Sequence, residues 1–292
     1  MKYIVVCNTG SDSLSRINLD FTNSKEFKID FNGEKLGPSG MCMDSSNIYT
    51  ANNYNNTVSI INCESFKEEN RIYVGAYPND LICYKDYLYI SSSEANLISV
   101  YNKKEKRLEF DIPINGWPYS MAVDEEKKII LAANFQSNNI SIIDTDKNKV
   151  IKEVNTLKYP TKIKLSKDKK NIYVCESYMG EDSGGYIEIF DSSTFVSEGK
   201  IKVGKSPMDI EEDEENLYVI NFEEGTLSVI SKRLKKEVDK ISIGGMPKSI
   251  KINGSYFIIS DYFNSRILII NSIDYKKRTI AVGKEPSAMI IY

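Results

Sequence analysis

Histidine is missing from all 292 positions of the chain. The side chain whose unperturbed pKa best suits proton transfer at neutral pH is therefore unavailable. A Ser-His-Asp or Cys-His relay and any histidine-ligated metal are excluded with it. Tryptophan occurs once, at Trp117, and cysteine five times, scattered and without a CxxC pair. Unpaired thiols favour a reducing compartment. Cys7, Cys42, Cys83 and Cys175 fall in strand-like runs and read as buried free thiols, while Cys63, at a strand end, is expected to be more exposed. No stretch approaches the ~20 apolar residues that span a bilayer, and the N-terminal "KYIVVC" is too short for a signal sequence's apolar region. A cytoplasmic location with no membrane partner is the expectation. A basic excess is lacking too: 38 Lys and Arg against 41 Asp and Glu leave a net charge of −3, which gives no support to nucleic-acid binding. Neither a glycine-rich phosphate loop nor a nucleophile elbow is present.

Proline is also scarce, yet its placement is regular. Seven of the eight prolines, Pro38, Pro78, Pro118, Pro160, Pro207, Pro247 and Pro286, follow one another at intervals of 40, 40, 42, 47, 40 and 39 residues. A fixed period near 40 signals a propeller or a solenoid. Each unit carries four short runs rich in β-branched and aromatic residues, bounded by Asn, Asp, Gly, Ser and Lys, and such runs read as strands. The second run closes on a polar residue, giving the series Asn8, Asn52, Ser92, Asn134, Glu176, Asn221 and Asp261. Four strands per unit of this length make the blade of a β-propeller. Proline, with fixed φ and no N–H, suits the first residue of the innermost strand.

The two ends complete the count. The chain opens with a second strand, "KYIVVCN" (2–8), continues with "SLSRINL" (13–19) and "KEFKIDF" (25–31), and closes with an innermost strand, "PSAMIIY" (286–292). Pairing the last strand with the first three closes the ring and removes open edges. The expectation is all-β: a single domain, 1–292, forming a seven-bladed β-propeller of four antiparallel strands per blade. The blades are 286–292 with 1–36, then 38–77, 78–117, 118–158, 160–205, 207–245 and 247–285. The one strong departure is an insertion in the fifth unit, "ESYMGEDSGGY" (176–186).

Four segments approach a recurrent motif: "YVIN" (218–221), "YTAN" (49–52), "YVCE" (173–176) and "LAAN" (131–134), with "LSKDKKNIYV" (165–174) as a first hairpin. On these the whole chain resembles the YVTN-repeat family of bacterial propellers. The resemblance implies the fold and little about activity, because propellers host enzymes, binders and scaffolds alike. Members of the family are often exported, and the short apolar run at the N-terminus makes a departure from them the expectation here. Propeller lactonases and streptogramin lyases are similar in architecture, but the histidine or metal sites they rely on have no counterpart here.

Two loop faces follow from the strand order. One carries densely charged turns such as "DEEKK" (124–128), "EEDEE" (211–215) and "SKRLKK" (231–236), and reads as solvated. The other carries "NNYNNT" (52–57), "NFQSNN" (134–139), "NFEEGT" (221–226) and "DYFNSR" (261–266), with "GAYP", "NGWP" and "LKYP" before three of the prolines. Asn, Ser, Gly and aromatic residues together offer rigid contact area and adaptable hydrogen bonds. Tyr77, Trp117 and Tyr159 precede proline in three successive units, and Phe135, Phe222 and Tyr262 follow the second strands. These six are the candidate ligand-binding residues, a platform for a sugar, a peptide segment or another small molecule; the alternative is packing between blades. The polar series from Asn8 to Asp261, present in every unit, reads as structural, bonding turn backbone.

The inserted loop brings Glu176, Glu181 and Asp182 close in sequence. Carboxylates suit Ca²⁺ or Mg²⁺, although the spacing matches no EF-hand loop, and a solvated flexible loop is the competing reading. No cofactor is required by anything in the sequence. The expected function is a non-catalytic binding or scaffold protein whose polar, aromatic mouth engages a small ligand or a protein segment. The alternative is a lactonase-like, metal-assisted hydrolase or lyase at the same mouth, using Glu176, Glu181, Asp182 or Asp261.

Overall fold

In a computed structural model, which describes residues 3–29 and 33–292, the chain forms seven four-stranded antiparallel sheets. All seven prolines of the repeat are the first residue of a strand, from Pro38–Met43 to Pro286–Ile291. Blade one pairs the C-terminal strand Pro286–Ile291 with Tyr3–Asn8, Ser13–Asn18 and Ser24–Lys28. Its closure register runs Ile4 opposite Ile291, Val5 opposite Ile290 and Val6 opposite Met289. Lys2, Asp30 and Phe31, the ends of two expected strands, lie outside the described residues. Blades two to seven follow at 38–73, 78–113, 118–155, 160–202, 207–242 and 247–281. Among the described residues the one helical turn is Thr9–Ser11, and no helix is long and apolar enough to cross a membrane.

The core lies between blades rather than inside them. Seven apolar clusters, one at each junction, are each built from two neighbouring blades. Alternation explains this: a strand shows one set of side chains to the preceding blade and the other set to the next. Second strands such as Ile129–Asn134, buried throughout, are apolar on both faces.

Near the axis the blades are also joined by hydrogen bonds. Thr9, Ser93 and Thr161 donate their hydroxyls to the carbonyls of Pro38, Pro118 and Pro207, each in the next blade, at 2.8, 2.6 and 2.6 Å. Register slips by one residue just after the proline in every innermost strand. Such bulges bend a strand and re-aim its side chains; here they turn the residues after the proline toward the axis.

Two local expectations change. Cys63 is buried among Phe66, Leu36 and Ile61, because the junction of blades one and two covers the strand end. Cys42 and Cys83 are only half-buried, on adjacent innermost strands, with their sulfurs 3.3 Å apart. The polar series is buried and structural, but its asparagines bond the third strand rather than turn backbone. Asn52 Nδ2 donates to Thr57 and Ser59 at 3.0 and 2.8 Å, and Asn8, Asn134 and Asn221 repeat the pattern. Opposed side chains two residues apart on a neighbouring strand are the nearest available acceptors.

Candidate functional site

The turn that enters each innermost strand decides what surrounds the axis on the aromatic face. The residue before the proline has a left-handed backbone in six blades: Gly37, Tyr77, Trp117, Tyr159, Ser206 and Glu285, with φ between 53° and 66°. For bulky residues this conformation is strained. The turn compensates by a fixed hydrogen bond in the three aromatic cases. The N–H groups of Tyr77, Trp117 and Tyr159 donate to Oδ1 of Asn56, Asn96 and Asn138 at 3.0, 2.8 and 2.8 Å. Gly, Ser and Glu serve the same turn elsewhere, so the turn itself does not require an aromatic ring.

The six candidate residues are all half-buried, and the structure gathers them into three groups rather than one arc. Tyr77 and Trp117 lie with ring centroids 5.8 Å apart. Tyr159 does not reach Trp117; it stacks on Phe135 at 5.0 Å, and Phe135 in turn meets Tyr119 at 5.7 Å. Phe222 and Tyr262 meet edge-on at 6.1 Å. Tyr54 and Phe263, 53% and 72% exposed, add open apolar surface on the same loops. Tyr54 and Tyr119 carry the same type of loop-face signal as the six but are absent from that set; the bulge after Pro118 turns Tyr119 toward the axis.

Below these rings the innermost strands line a channel whose charges alternate in sign. A small cavity there, about 90 Å³, is bordered by Asp80, Tyr119, Lys162, Asp209 and Lys248 among others. Asp209 is buried; its Oδ2 accepts the Ser249 hydroxyl at 2.9 Å and the Ile250 N–H at 3.0 Å, and Lys162 lies 3.6 Å from Oδ1. Burial opposes its charge, yet Lys162, Lys251 and these hydrogen bonds outweigh burial and hold its carboxyl below the usual range. Asp80 repeats the geometry, accepting the Met121 N–H of the next blade at 2.8 Å. Burial likewise opposes the Lys162 charge, but Asp209, Asp80 and Glu211 hold the ammonium's pKa above the ordinary value. Glu211 joins Lys164 and Lys251 at 2.9 Å each.

Lys248 is the exception. Its ammonium sits 4.8 Å over the Tyr262 ring, and burial pulls its pKa down, only partly offset by Glu285. Tyr262 donates its hydroxyl to Glu285 at 3.0 Å. Burial pushes the Tyr119 hydroxyl up to about 12, so it remains a donor at neutral pH.

The three acidic candidates of the inserted loop are not brought together. Glu181 pairs with Lys158 at 2.7 Å and Asp182, fully exposed, with Lys205 at 3.4 Å. Glu176 points inward and accepts the Leu157 N–H at 3.0 Å. Burial first, and then Glu188, push its pKa up to about 10. Among the described residues no group of three or more His, Cys, Asp or Glu side chains is placed to hold a metal ion. Asp261, the remaining acidic candidate, accepts Arg266 Nε at 2.9 Å and the Met246 N–H at 3.1 Å.

Seven four-stranded blades around a charged channel make this protein a seven-bladed β-propeller. No family model matches the chain. A stretch of 180 residues, 59% of the chain, is 23% identical to Antigen Lp49 of Leptospira interrogans and covers 40% of that protein. The match therefore spans less than half the length of that relative. Among solved structures, a functionally unknown protein from Desulfotomaculum acetoxidans superposes with a TM-score of 0.81, at 14% identity over 99% of this chain and 98% of that one. Hydrazine synthase of Kuenenia stuttgartiensis superposes with a TM-score of 0.71, at 17% identity over 83% and 80% of the two chains. At these identities the likeness is one of fold.

Proposed function

We propose that this is a binding propeller, one domain of YVTN-repeat type, which engages a small ligand or a protein segment at its aromatic mouth. One observation carries the reading: three successive pre-proline positions place half-exposed aromatic rings at the mouth in strained turns that need no ring. Part-exposed rings with a fixed backbone offer contact area at small entropic cost. Lys248 and Glu285 beside Tyr262 supply one group of each sign for orienting a polar end. Amphipathic ligands with planar faces, oligosaccharides or aromatic peptide segments, fit this combination.

The single tryptophan makes the test direct. Trp117 emission in the free protein is expected to be red-shifted and quenched by acrylamide. Oligosaccharides and aromatic tetrapeptides would be titrated against it, with Trp117→Ala and Tyr159→Ala as controls. Trp117→Ala should weaken binding by about 1–3 kcal/mol, as for a part-buried anchor. Blue-shifted, unquenchable emission, or emission that no member of either series alters, overturns the reading.

A further inference from the structure

We propose a second binding site in the cleft between blades five and six, on the charged face, for a monocation with a hydrocarbon body, a primary alkylamine being the simplest member. The cleft holds a cavity of about 420 Å³, within the range of small-molecule sites. The corresponding cleft between blades two and three holds about 230 Å³.

Two departures from the repeat, both in blade five, account for the difference. The first is Gly199, which pairs with Ile189 in the outermost strand. The same register position carries Asn70, Phe110, Lys152, Asp239 and Arg278 in five other blades. Three of those side chains reach into their clefts. Phe110 packs into the cluster between blades three and four, Lys152 lies 5.0 Å over Phe195, and Arg278 lies 4.3 Å over Phe21. A Cβ built on Gly199 meets nothing within 4 Å.

The second departure is Ser166. In blades two and six the tyrosine of the second strand donates its hydroxyl to an aspartate of the first hairpin: Tyr49 to Asp44 at 2.8 Å and Tyr218 to Asp213 at 2.6 Å. Ser166 takes the backbone place of those aspartates, its N–H bonded to the Asn171 carbonyl as theirs are to Asn47 and Asn216. Tyr173, which lines the cavity, is left without that acceptor.

The chemistry of the ligand follows from the walls. The floor is apolar: Ile189, Ile201, Leu217 and Ile230, all buried. At the rim Lys232 is bound to Glu212, and Lys235 to Glu198 at 3.1 Å, so these pairs cancel. Asp168, Asp213 and Glu214 remain against Lys167, an excess of negative charge over a greasy floor. A cation would find that field together with the Tyr173 ring; an anion would be repelled.

Two-dimensional NMR of the full chain, with n-hexylamine, n-hexanol and hexanoate as probes, tests this. Hexylamine should shift resonances of Tyr173 and Ile189 and bind about tenfold more tightly than hexanol, while hexanoate should not bind. Gly199→Asn restores the missing side chain and should abolish both interactions. Because position 199 has φ +143°, which strains any side chain there, Ile201→Phe serves as the second variant and fills the same space from a neighbouring residue with an ordinary backbone. Glu214→Gln combined with Asp168→Asn should remove most of the preference for amine over alcohol without altering hexanol binding. Shifts confined to the aromatic mouth, hexanoate binding as well as hexylamine, or full amine affinity in a folded Ile201→Phe protein would each overturn the proposal. The shifts expected at Tyr173 and Ile189 do not depend on whether the mouth binds a ligand.

Discussion

Blade five and its six counterparts share one strand plan, but they solve the same buried position differently. In blades one, two, four and six an asparagine closes the second strand and gives both amide hydrogens to side-chain oxygens of the third. Blade five has Glu176 there, facing Glu188 where those blades have serine. The amide gives its hydrogens to neutral oxygens at any pH, whereas the buried Glu176 carboxyl beside Glu188 favours its protonated form. A repeat protein thus contains its own control. What most blades retain is what the fold requires, and Glu176, Ser166, Gly199 and the inserted loop show that the requirement is relaxed or overridden in one blade.

The largest effect should come from the blade that is not continuous in sequence. Blade one depends on residues 286–291, whose removal exposes the edge of Tyr3–Asn8, takes Met289 out of the junction with blade seven and uncovers its neighbours Ile4, Val6 and Ile258 there. Each buried apolar side chain is worth about 1.5–3 kcal/mol against a total stability of about 5–15 kcal/mol. A chain lacking 286–292 should show no cooperative thermal transition by circular dichroism. A transition like that of the full chain would mean that blade one stands without its inner strand.

Asp209 and Glu176 are buried carboxyls with opposite linkage, and each can be broken separately. Asp209 is held ionised, so its stabilisation is present above its ordinary value of 3.8 and lost as pH falls through the lowered one. Asp209→Asn should cost about 3 kcal/mol at pH 7, the lower end for a buried pair because Lys162 is part-exposed. Urea melts at pH 7 and pH 3 should show the deficit shrinking in acid. Glu176 behaves in reverse. Its folded form keeps a proton that the unfolded chain releases above about 4.5, so its contribution declines as pH rises from there to about 10. Glu176→Gln fixes the protonated shape and should stabilise by about 1–3 kcal/mol at neutral pH. A stability profile whose slope between pH 5 and 9 is the same in the variant would show that Glu176 is not the proton carrier.

Much of the fold is legible along the chain because six of the seven blades are local. The prolines mark seven strand starts, and the closing strand follows from a chain that begins on a second strand and ends on a first. The candidate site is legible only in part. Pre-proline Tyr77 and Trp117 come into ring contact while Tyr159 stacks on Phe135 instead, because which ring meets which depends on the angle between blades, a quantity no spacing encodes. The charged channel had a visible signal: "PTKIKL" and "PMDIEE" alternate charge with apolar residues in innermost strands, where "PSAMII" does not. The cavity beside Gly199 had none, since an absent side chain matters only once the neighbouring blade is in place.

The smallest effect concerns the feature most conspicuous in the sequence. The inserted loop runs out from Glu176 and returns at Tyr186, with Tyr178 and Tyr186 in ring contact at 5.5 Å. Its tip is open: Gly180 has nothing within 4 Å of a built Cβ, and Met179 is 38% exposed. Its return is tight, because a Cβ on Gly185 would meet Pro207 Cδ at 2.2 Å and the Glu176 carbonyl oxygen at 2.6 Å. Gly185 also exchanges backbone hydrogen bonds with Gly204 and Val203 at 2.8 and 3.0 Å. Stability should therefore reside in the return, not in the tip. Replacing residues 179–183 by two residues while keeping Gly184 and Gly185 should leave the melting temperature within about 2 °C, since closure cost changes slowly with loop length. Gly185→Ala alone, one methyl group against backbone and Pro207, should lower it by more than the whole tip replacement does. The reverse order would mean that the tip is packed, and that blade five departs from the repeat for structural reasons.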